Sequence, residues 1–343
     1  MIKLFLNLRT ELKHQEIKDL IEKIKYQDRK AIANAITLVE SKKEEDRKIA
    51  ELLINQLSSI DKKSIRIAIS GPPGAGKSTF IEALGSEILK ENRNIAVLAI
   101  DPTSTITGGS ILGDKTRMEK LSRNENVFIR PSPSGMNLGG VNRSTRESMI
   151  ILESAGFDTI LIETVGVGQA ETEAFEMTDI FLVLLNPGAG DELQGIKRGI
   201  IELSDILVVN KSDGNLEASS RSTVLDYKNA LKLLKPRIKN WRVPVLSCSA
   251  LEEKGIDLCW ETINQLIQHL RETGQLITNR EQQKELWLVK ATKEKFLEQI
   301  ENDVEFQNEL EIIKETLSDK DKSVKTEASN IIERFLNKLR RHK

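Results

Sequence analysis

Residues 71–78 read Gly71-Pro72-Pro73-Gly74-Ala75-Gly76-Lys77-Ser78, between an apolar run, Ile65-Arg66-Ile67-Ala68-Ile69-Ser70, and a helix-like stretch from Thr79 to Lys90. A strand, a glycine-rich loop and a helix in this order make a phosphate-binding loop, and the motif carries weight only in that context. The glycines let the backbone curl until its N–H groups point inward at phosphate oxygens, where side chains would block the approach. The helix behind the loop adds its positive N-terminal end. Gly74, Ala75, Gly76, Lys77, Ser78 and Thr79 are therefore the candidate phosphate contacts. Lys77 is placed to reach the β- and γ-phosphates and Ser78 to hold Mg²⁺.

The rest of the chain fits an α/β domain built around that loop. Short apolar runs at 65–70, 95–100, 127–130, 158–163, 180–185, 205–210 and 243–247 alternate with helical patterns. Runs rich in Ile, Val and Leu without polar alternation predict strands buried on both faces, as in a mostly parallel sheet with helices on both faces. Such sheets bind ligands at the carboxyl ends of their strands. Before the sheet, residues 9–60 contain no Gly or Pro and read as two or three helices, with breaks near Gln27-Asp28-Arg29 and Ser41-Lys42-Lys43. After it the pattern is helical again over 257–273, 280–301 and 305–340, with Gly274 interrupting and a polar hinge from Ser318 to Lys325. The expected organisation is an N-terminal helical region (1–62), a nucleotide-binding domain (63–273) and a C-terminal helical arm (274–343).

Composition narrows the function classes. The 51 basic and 52 acidic residues leave a net charge of −1, so no single-sign field points to nucleic acid or an anionic membrane. No apolar run approaches the length of a membrane-spanning helix, and the start of the chain is too short and too soon charged for a signal sequence. A cytoplasmic location is the expectation. The two cysteines, Cys248 and Cys259, and the three histidines form no metal-ligand cluster in sequence, which disfavours a metal-delivering NTPase. The cysteines read as buried small side chains and the histidines as helix-surface residues.

Three further words fall at strand ends. Asn210-Lys211-Ser212-Asp213 closes the run 205–210 and has the form of a guanine reader. A carboxylate at Asp213 accepts two hydrogen bonds from guanine N1–H and the exocyclic amine, whereas adenine offers no such pair and would leave the acid unpaired. Asn210 and Lys211 would brace the loop and cover the base. Ser249 and Ala250, in Ser247-Cys248-Ser249-Ala250, read either as a second base-binding loop or as an ordinary turn capping the next helix. Asp101 and Glu163 end the runs 95–100 and 158–163, where Mg²⁺ would find carboxylates beside the Ser78 hydroxyl; the alternative for Asp101 is a turn or helix cap. Asp114 could ligate through water or only steady its loop. Gly166, in Glu163-Thr164-Val165-Gly166, would let a backbone N–H approach the γ-phosphate.

Taken together, Gly71–Ser78, Asp101–Ser104, Gly108-Gly109-Ser110-Ile111-Leu112-Gly113-Asp114-Lys115-Thr116-Arg117-Met118, Glu163–Gln169, Pro187–Lys197 and Asn210–Asp213 resemble the MeaB/ArgK group of GTPases. The resemblance runs from about Asp28 to Asn264. It implies a SIMIBI-class GTPase that hydrolyses GTP to GDP with Mg²⁺ and assists an adenosylcobalamin-dependent acyl-CoA mutase, chiefly methylmalonyl-CoA mutase. It also implies a homodimer held by the C-terminal arm, and a mobile segment in which Lys197 couples the partner to hydrolysis, beside Lys77, Asp101, Asp114 and Glu163 as catalytic residues. A kinase or ATPase linked to lysine, arginine and ornithine transport is the alternative.

Overall fold

The computed structural model of the protein describes residues 15–59, 63–101, 118–133, 138–164, 169–188, 198–316 and 323–341. The chain divides into two compact units, one reaching to Glu281 and one beginning at Gln282.

The first unit opens with three helices, α1 (15–25), α2 (Arg29–Glu40) and α3 (Glu44–Leu57). They are separated at 26–28 and 41–43, where the sequence predicts breaks. Asp28 starts α2 by accepting the Ala31 N–H at 2.7 Å, which satisfies one of the helix's orphan donors. The apolar row Ala31, Ile32, Ala35, Ile36 and Val39 repeats at helical spacing, and α2 lays it against the helix α6 named below.

The sheet follows. In chain order the elements are β1 (Ile65–Ser70), α4 (Lys77–Leu89), β2 (Ile95–Asp101), α5 (Glu119–Ser122), β3 (Val127–Pro133), α6 (Leu138–Ser154), β4 (Thr159–Glu163), α7 (Gln169–Phe175), β5 (Ile180–Leu185), α8 (Arg198–Leu203), β6 (Ile206–Val209), α9 (Glu217–Leu231), β7 (Val245–Ser247) and α10 (Ile256–Glu272). All pairings are parallel, in the spatial order β3-β2-β4-β1-β5-β6-β7. The expected strands appear within a few residues of their predicted limits; β3 runs on to Pro133 and β7 begins at Val245. Successive strand residues serve opposite faces. Ile67, Ile69, Leu161, Leu182 and Val208 pack with α4 and α10, whereas Ala68, Phe181, Val183, Leu207 and Val209 pack with α7, α8 and α9. Every residue of β5 is buried, as a strand covered on both sides requires. The order puts β1 between β4 and β5, so the chain leaving β1 through α4 must pass over β4 to reach β2. That crossing marks the side of the sheet on which the loops open into a crevice.

At the opposite edge, where the strands begin, an ion network ties the first unit together. Asp179, immediately before β5, receives the Arg66 backbone N–H at 2.9 Å. Its two carboxylate oxygens also accept Arg280 Nε at 2.8 Å and Nη2 at 2.7 Å, and the same Nη2 reaches the Ser64 carbonyl at 2.6 Å. The Arg66 guanidinium in turn grips Glu153 at 2.7 and 2.9 Å. Paired forks of this kind are the strong, directional form of ion pair. Gly274, with φ +70°, makes the turn between α10 and α11 (Gln275–Asn302) and so brings Arg280 into place.

The second unit takes most of α11 with α12 (Val304–Thr316) and α13 (Val324–Arg341), so helix fills the expected C-terminal segments. Residues 317–322, most of the expected hinge, lie outside the described residues. Its core is small: Ile300, Phe306, Ile331 and Phe335, with the Phe306 and Phe335 rings edge-to-face at 5.4 Å. Leu286, Leu288, Val289, Leu297 and Ile312 remain exposed.

The Asp179 network yields a direct test. Asp179→Ala leaves Arg280 without its carboxylate and the Arg66 N–H without its acceptor, in a place where Asp179 is 2% exposed. Breaking a buried pair from one side costs about 3–5 kcal/mol. Urea unfolding of the variant should show a loss of that order, and a change below about 1 kcal/mol would remove the network from the account of stability.

Candidate nucleotide-binding site

The site grows from the point where β1 ends. Gly71 has φ +143°, and a side chain there would place Cβ 2.5 Å from the Leu184 carbonyl oxygen of β5. The loop can leave the sheet at this point only because nothing projects from Gly71. Gly76, φ +83°, caps α4 in the left-handed region, and a Cβ on it would lie 2.7 Å from Asn210 Nδ2. Between them the loop folds over the end of α4, whose first residue is Lys77. A helix N-terminus opening directly from a glycine loop is a ready anion site.

Lys77 lies inside this curl, 8% exposed, and donates to the carbonyls of Gly71 at 2.8 Å and Pro72 at 3.1 Å. Burial pushes its ammonium below the ordinary lysine value, against the opposing pull of the Glu163 and Glu171 carboxylates. Ser78 donates its hydroxyl to Glu163 Oε1 at 2.8 Å. A helix start and the end of the neighbouring strand β4 thus bring two oxygen donors together. The backbone of Asp101 ends β2 two residues beyond Ala99, the residue in register with Glu163. The three residues expected to hold a hard cation therefore come from the first turn of α4 and the ends of the neighbouring strands β4 and β2; nothing is described of the Asp101 side chain.

The stretches expected to read the base meet the phosphate loop through one side chain. Asn210 follows β6 and is 2% exposed. Its Nδ2 donates to the Ala75 carbonyl at 2.9 Å, and its Oδ1 accepts the Ala250 N–H at 3.0 Å and the Cys248 thiol at 3.5 Å. Three separate stretches, 71–78, 210–213 and 247–250, are pinned to one another by that amide. Lys211 adopts φ +60° and its Cε lies 3.9 Å from the Cβ position of Gly76, so its stem crosses the loop. The Ser212 N–H bonds the Cys248 carbonyl at 2.9 Å, and Asp213, half-buried, starts the short 3₁₀ turn Gly214–Leu216. Ser249 is buried and exchanges both backbone hydrogen bonds with Lys254. The expected burial of the cysteines is found: both are free and enclosed, and the Cys248 thiol is pushed above its ordinary value by its hydrogen bond with Cys259 and by burial.

The structure therefore gathers Gly74, Ala75, Gly76, Lys77, Ser78, Thr79, Glu163, Asn210, Lys211, Asp213, Ser249 and Ala250 at one end of the sheet. Asp114, Gly166 and Lys197 lie outside the described residues. Glu171, which no sequence motif marks, sits in the first turn of α7, is 2% exposed and accepts the Ser70 hydroxyl at 3.3 Å. Its position eight residues beyond Glu163 carries no recognised spacing; only the fold turns it back to β1.

Comparison with known proteins identifies the family. The model of the family described as methylmalonyl-CoA mutase-associated GTPase MeaB matches residues 32–305. A putative GTPase of Caulobacter vibrioides is 51% identical over 261 residues, covering 76% of this chain and 80% of that protein. The mouse protein named methylmalonic aciduria type A homolog, mitochondrial, is 44% identical over 280 residues, covering 79% of this chain and 68% of its own length. GTPase ArgK of Escherichia coli is 43% identical over 277 residues, covering 81% and 84%. A crystal structure described as LAO/AO transport system kinase superposes with a TM-score of 0.73 at 33% identity, covering 93% of this chain and 97% of that one. The family match and these relatives place the chain in the MeaB family of methylmalonyl-CoA mutase-associated GTPases, and its activity is that of a GTPase.

Proposed function

We propose that this GTPase assists an adenosylcobalamin-dependent acyl-CoA mutase, methylmalonyl-CoA mutase in the first place, by gating cofactor loading and protecting the mutase. On the protein's own side the reading is carried by the buried Asn210 amide, which joins phosphate loop and base loops into one guanine-nucleotide cradle. The mutase is supported by the family's description and by the name of the mouse relative. A cytoplasmic location accompanies the reading; among the described residues no helix is long and apolar enough to cross a membrane.

In this reading the loop amides and the α4 N-terminus receive the phosphates, and Lys77 exchanges the Gly71 and Pro72 carbonyls for β- and γ-phosphate oxygens. Asp213 accepts from guanine N1–H and the 2-amino group, while Asn210 holds the loop on which Asp213 stands. Water attacks the γ-phosphorus in line, the bond to the β–γ bridging oxygen breaks, and GDP and phosphate leave. The oxygen-only set of Ser78 and Glu163, 2.8 Å apart, fits Mg²⁺, with Asp101 as the third candidate. When bound, the ion would neutralise charge on the β- and γ-oxygens. Asp114, Gly166 and Lys197 take the roles the family resemblance gives them, Lys197 as the cation through which the partner stimulates hydrolysis.

Phosphate release from GTP, followed with and without purified methylmalonyl-CoA mutase, tests the proposal. Stimulation by the mutase supports it, and equal rates overturn the partner assignment. Lys77→Ala should lower both rates by about 10²–10³-fold or more, since a preorganised donor to the developing phosphate charge is removed.

Asp213→Asn should shift preference from GTP toward xanthosine triphosphate, because the amide donates to the xanthine O2 where the carboxylate cannot. Competition binding reads this out. ATP competing equally with GTP for the parent protein would instead favour the kinase or ATPase reading that the crystal relative's name suggests.

The exposed apolar residues on α11, Leu286, Val289 and Leu297, support a homodimer formed by the C-terminal arm, since apolar side chains at helical spacing are commonly covered by a symmetric partner. A chain ending at Glu281 keeps Arg280 on Asp179 and all the described nucleotide residues. Light scattering should find it monomeric while it still binds GTP, and a dimer surviving the cut would place the interface elsewhere.

A further inference from the structure

The stretch that carries the chain from the end of α9 to β7 has no part in the chemistry above. Every charged residue in it is basic: Lys228, Lys232, Lys235, Arg237, Lys239 and Arg242. Its contacts fix it to the edge where the strands begin. Arg237 reaches Asp205, the residue before β6, at 2.5 Å and lies over the Phe175 ring at 4.9 Å. Trp241 donates its indole N–H to the Asp205 carbonyl at 3.0 Å, and Ile238 is buried in the core. The Lys239 carbonyl meets His269 Nε2 of α10 at 2.8 Å.

This anchoring leaves charge and one large apolar side chain facing outward. Lys228, Lys232, Lys235, Lys239 and Arg242 are exposed, and none has a carboxylate partner among the described residues; Lys232 donates to Asn229 Oδ1 at 3.0 Å instead. Elsewhere on the first unit exposed lysines are matched, Lys90 with Glu87, Lys120 with Glu253 and Lys254 with Glu252. Leu231 and Leu234 pack toward the core, while Leu233 between them is 88% exposed. An exposed leucine by itself is ordinary. Here it stands on an anchored turn, flanked by Lys232 and Lys235. An apolar anchor within a polar rim is the anatomy of a protein–protein docking site.

The sign of the rim selects the partner, because like charges facing each other across an interface repel. Nucleic acid fits poorly. Four of the five unpaired cations are lysines, which lack the bidentate fork, and the Trp241 ring already lies 6.0 Å from that of His269 rather than open for a base. Stable membrane attachment calls for an apolar helix face beside the charge, whereas Leu233 stands on a turn. We propose that this basic ridge docks an acidic patch on the partner protein, with Leu233 entering an apolar pocket at its centre; for the partner's identity it rests on the mutase reading above. The ridge lies at the opposite end of the sheet from the nucleotide loops, so a partner seated there leaves them open.

The test follows binding of the full-length protein, carrying a non-hydrolysable GTP analogue, to immobilised methylmalonyl-CoA mutase. Salt is varied between about 0.01 and 1 M, over which the Debye length falls from about 30 to 3 Å. Combined Lys232→Glu, Lys235→Glu and Lys239→Glu should slow association by about tenfold or more at low salt, with the gap closing at high salt. The same three positions changed to Arg keep the charge and should associate within about threefold of the parent. Leu233→Ala should speed dissociation by about fivefold or more. Basal GTP hydrolysis should be unchanged throughout, since none of these residues touches the nucleotide loops. Equal association of the Glu and parent proteins overturns the ridge and leaves the mutase reading standing, as does unchanged dissociation in Leu233→Ala. Equal loss in the Glu and Arg variants overturns it too, because charge is then not what docks. Loss of binding to phosphatidylserine vesicles, with mutase binding intact, in the Glu variant would assign the ridge to a lipid surface instead. A parent that binds no mutase at any salt overturns the partner reading and the docking face with it.

Discussion

The Asn210 amide is the joint on which the site depends. The residues that would touch phosphate and those that would touch base come from stretches more than a hundred positions apart, and each is a loop with few contacts of its own. One buried amide, donating to Ala75 and accepting from Ala250, ties these loops together. The geometry leaves no room for error: Gly76 must lack a side chain because Asn210 Nδ2 would be 2.7 Å from its Cβ. A buried amide with its hydrogen bonds made is rigid, and one with a partner removed pays the desolvation of the orphaned group. The phosphate loop and the loops expected to read the base are therefore held by the same few atoms.

The electrostatics of the loop are built on a shortage of water. Lys77 is enclosed by the loop that it serves, so its charge is supported by carbonyl dipoles and by the acids of β4 and α7. Those acids play against the desolvation that lowers its affinity for a proton. The same enclosure makes the lysine effective toward phosphate, because an ammonium held near carbonyl oxygens in low dielectric gains much from meeting a full negative charge. At the other end of the strands charge serves rigidity: the forked pairs of Arg280 with Asp179 and Arg66 with Glu153 lock strand β1, the start of β5 and the first turns of α11. The candidate site and the ion network thus occupy opposite edges of one sheet.

Much of the architecture was legible because it is written in local patterns. Runs such as Ile180–Leu185 have no polar alternation and can only be buried on both faces, so their strand character and the parallel sheet followed from composition. The helix row of α10, from Ile256 through Cys259, Ile263, Leu266 and Leu270, has the 3.6-residue period of a one-sided helix. Helix limits were less exact: α4 begins at Lys77 and α11 at Gln275, because caps depend on φ values that glycines at 76 and 274 supply. The pairing order of the strands was not readable, since nothing in a single strand says which neighbour it will take.

What the sequence determined by itself was the kind of site: a glycine loop between strand and helix, an Asn-Lys-x-Asp word and acids at strand ends can serve a nucleotide triphosphate and little else. Those requirements are local, set by backbone conformation and residue chemistry at fixed spacing. Only the tertiary structure decided which side chains meet at the end of the sheet. It placed Asn210 on Ala75, set Ser78 against Glu163 and turned Glu171 under Ser70, contacts across 135, 85 and 101 residues of chain. Such contacts arise from strand order and the crossing over β4, and no pattern within one segment encodes them. The physical reason is that burial and field depend on what arrives from elsewhere, while propensity depends on what lies next in the chain.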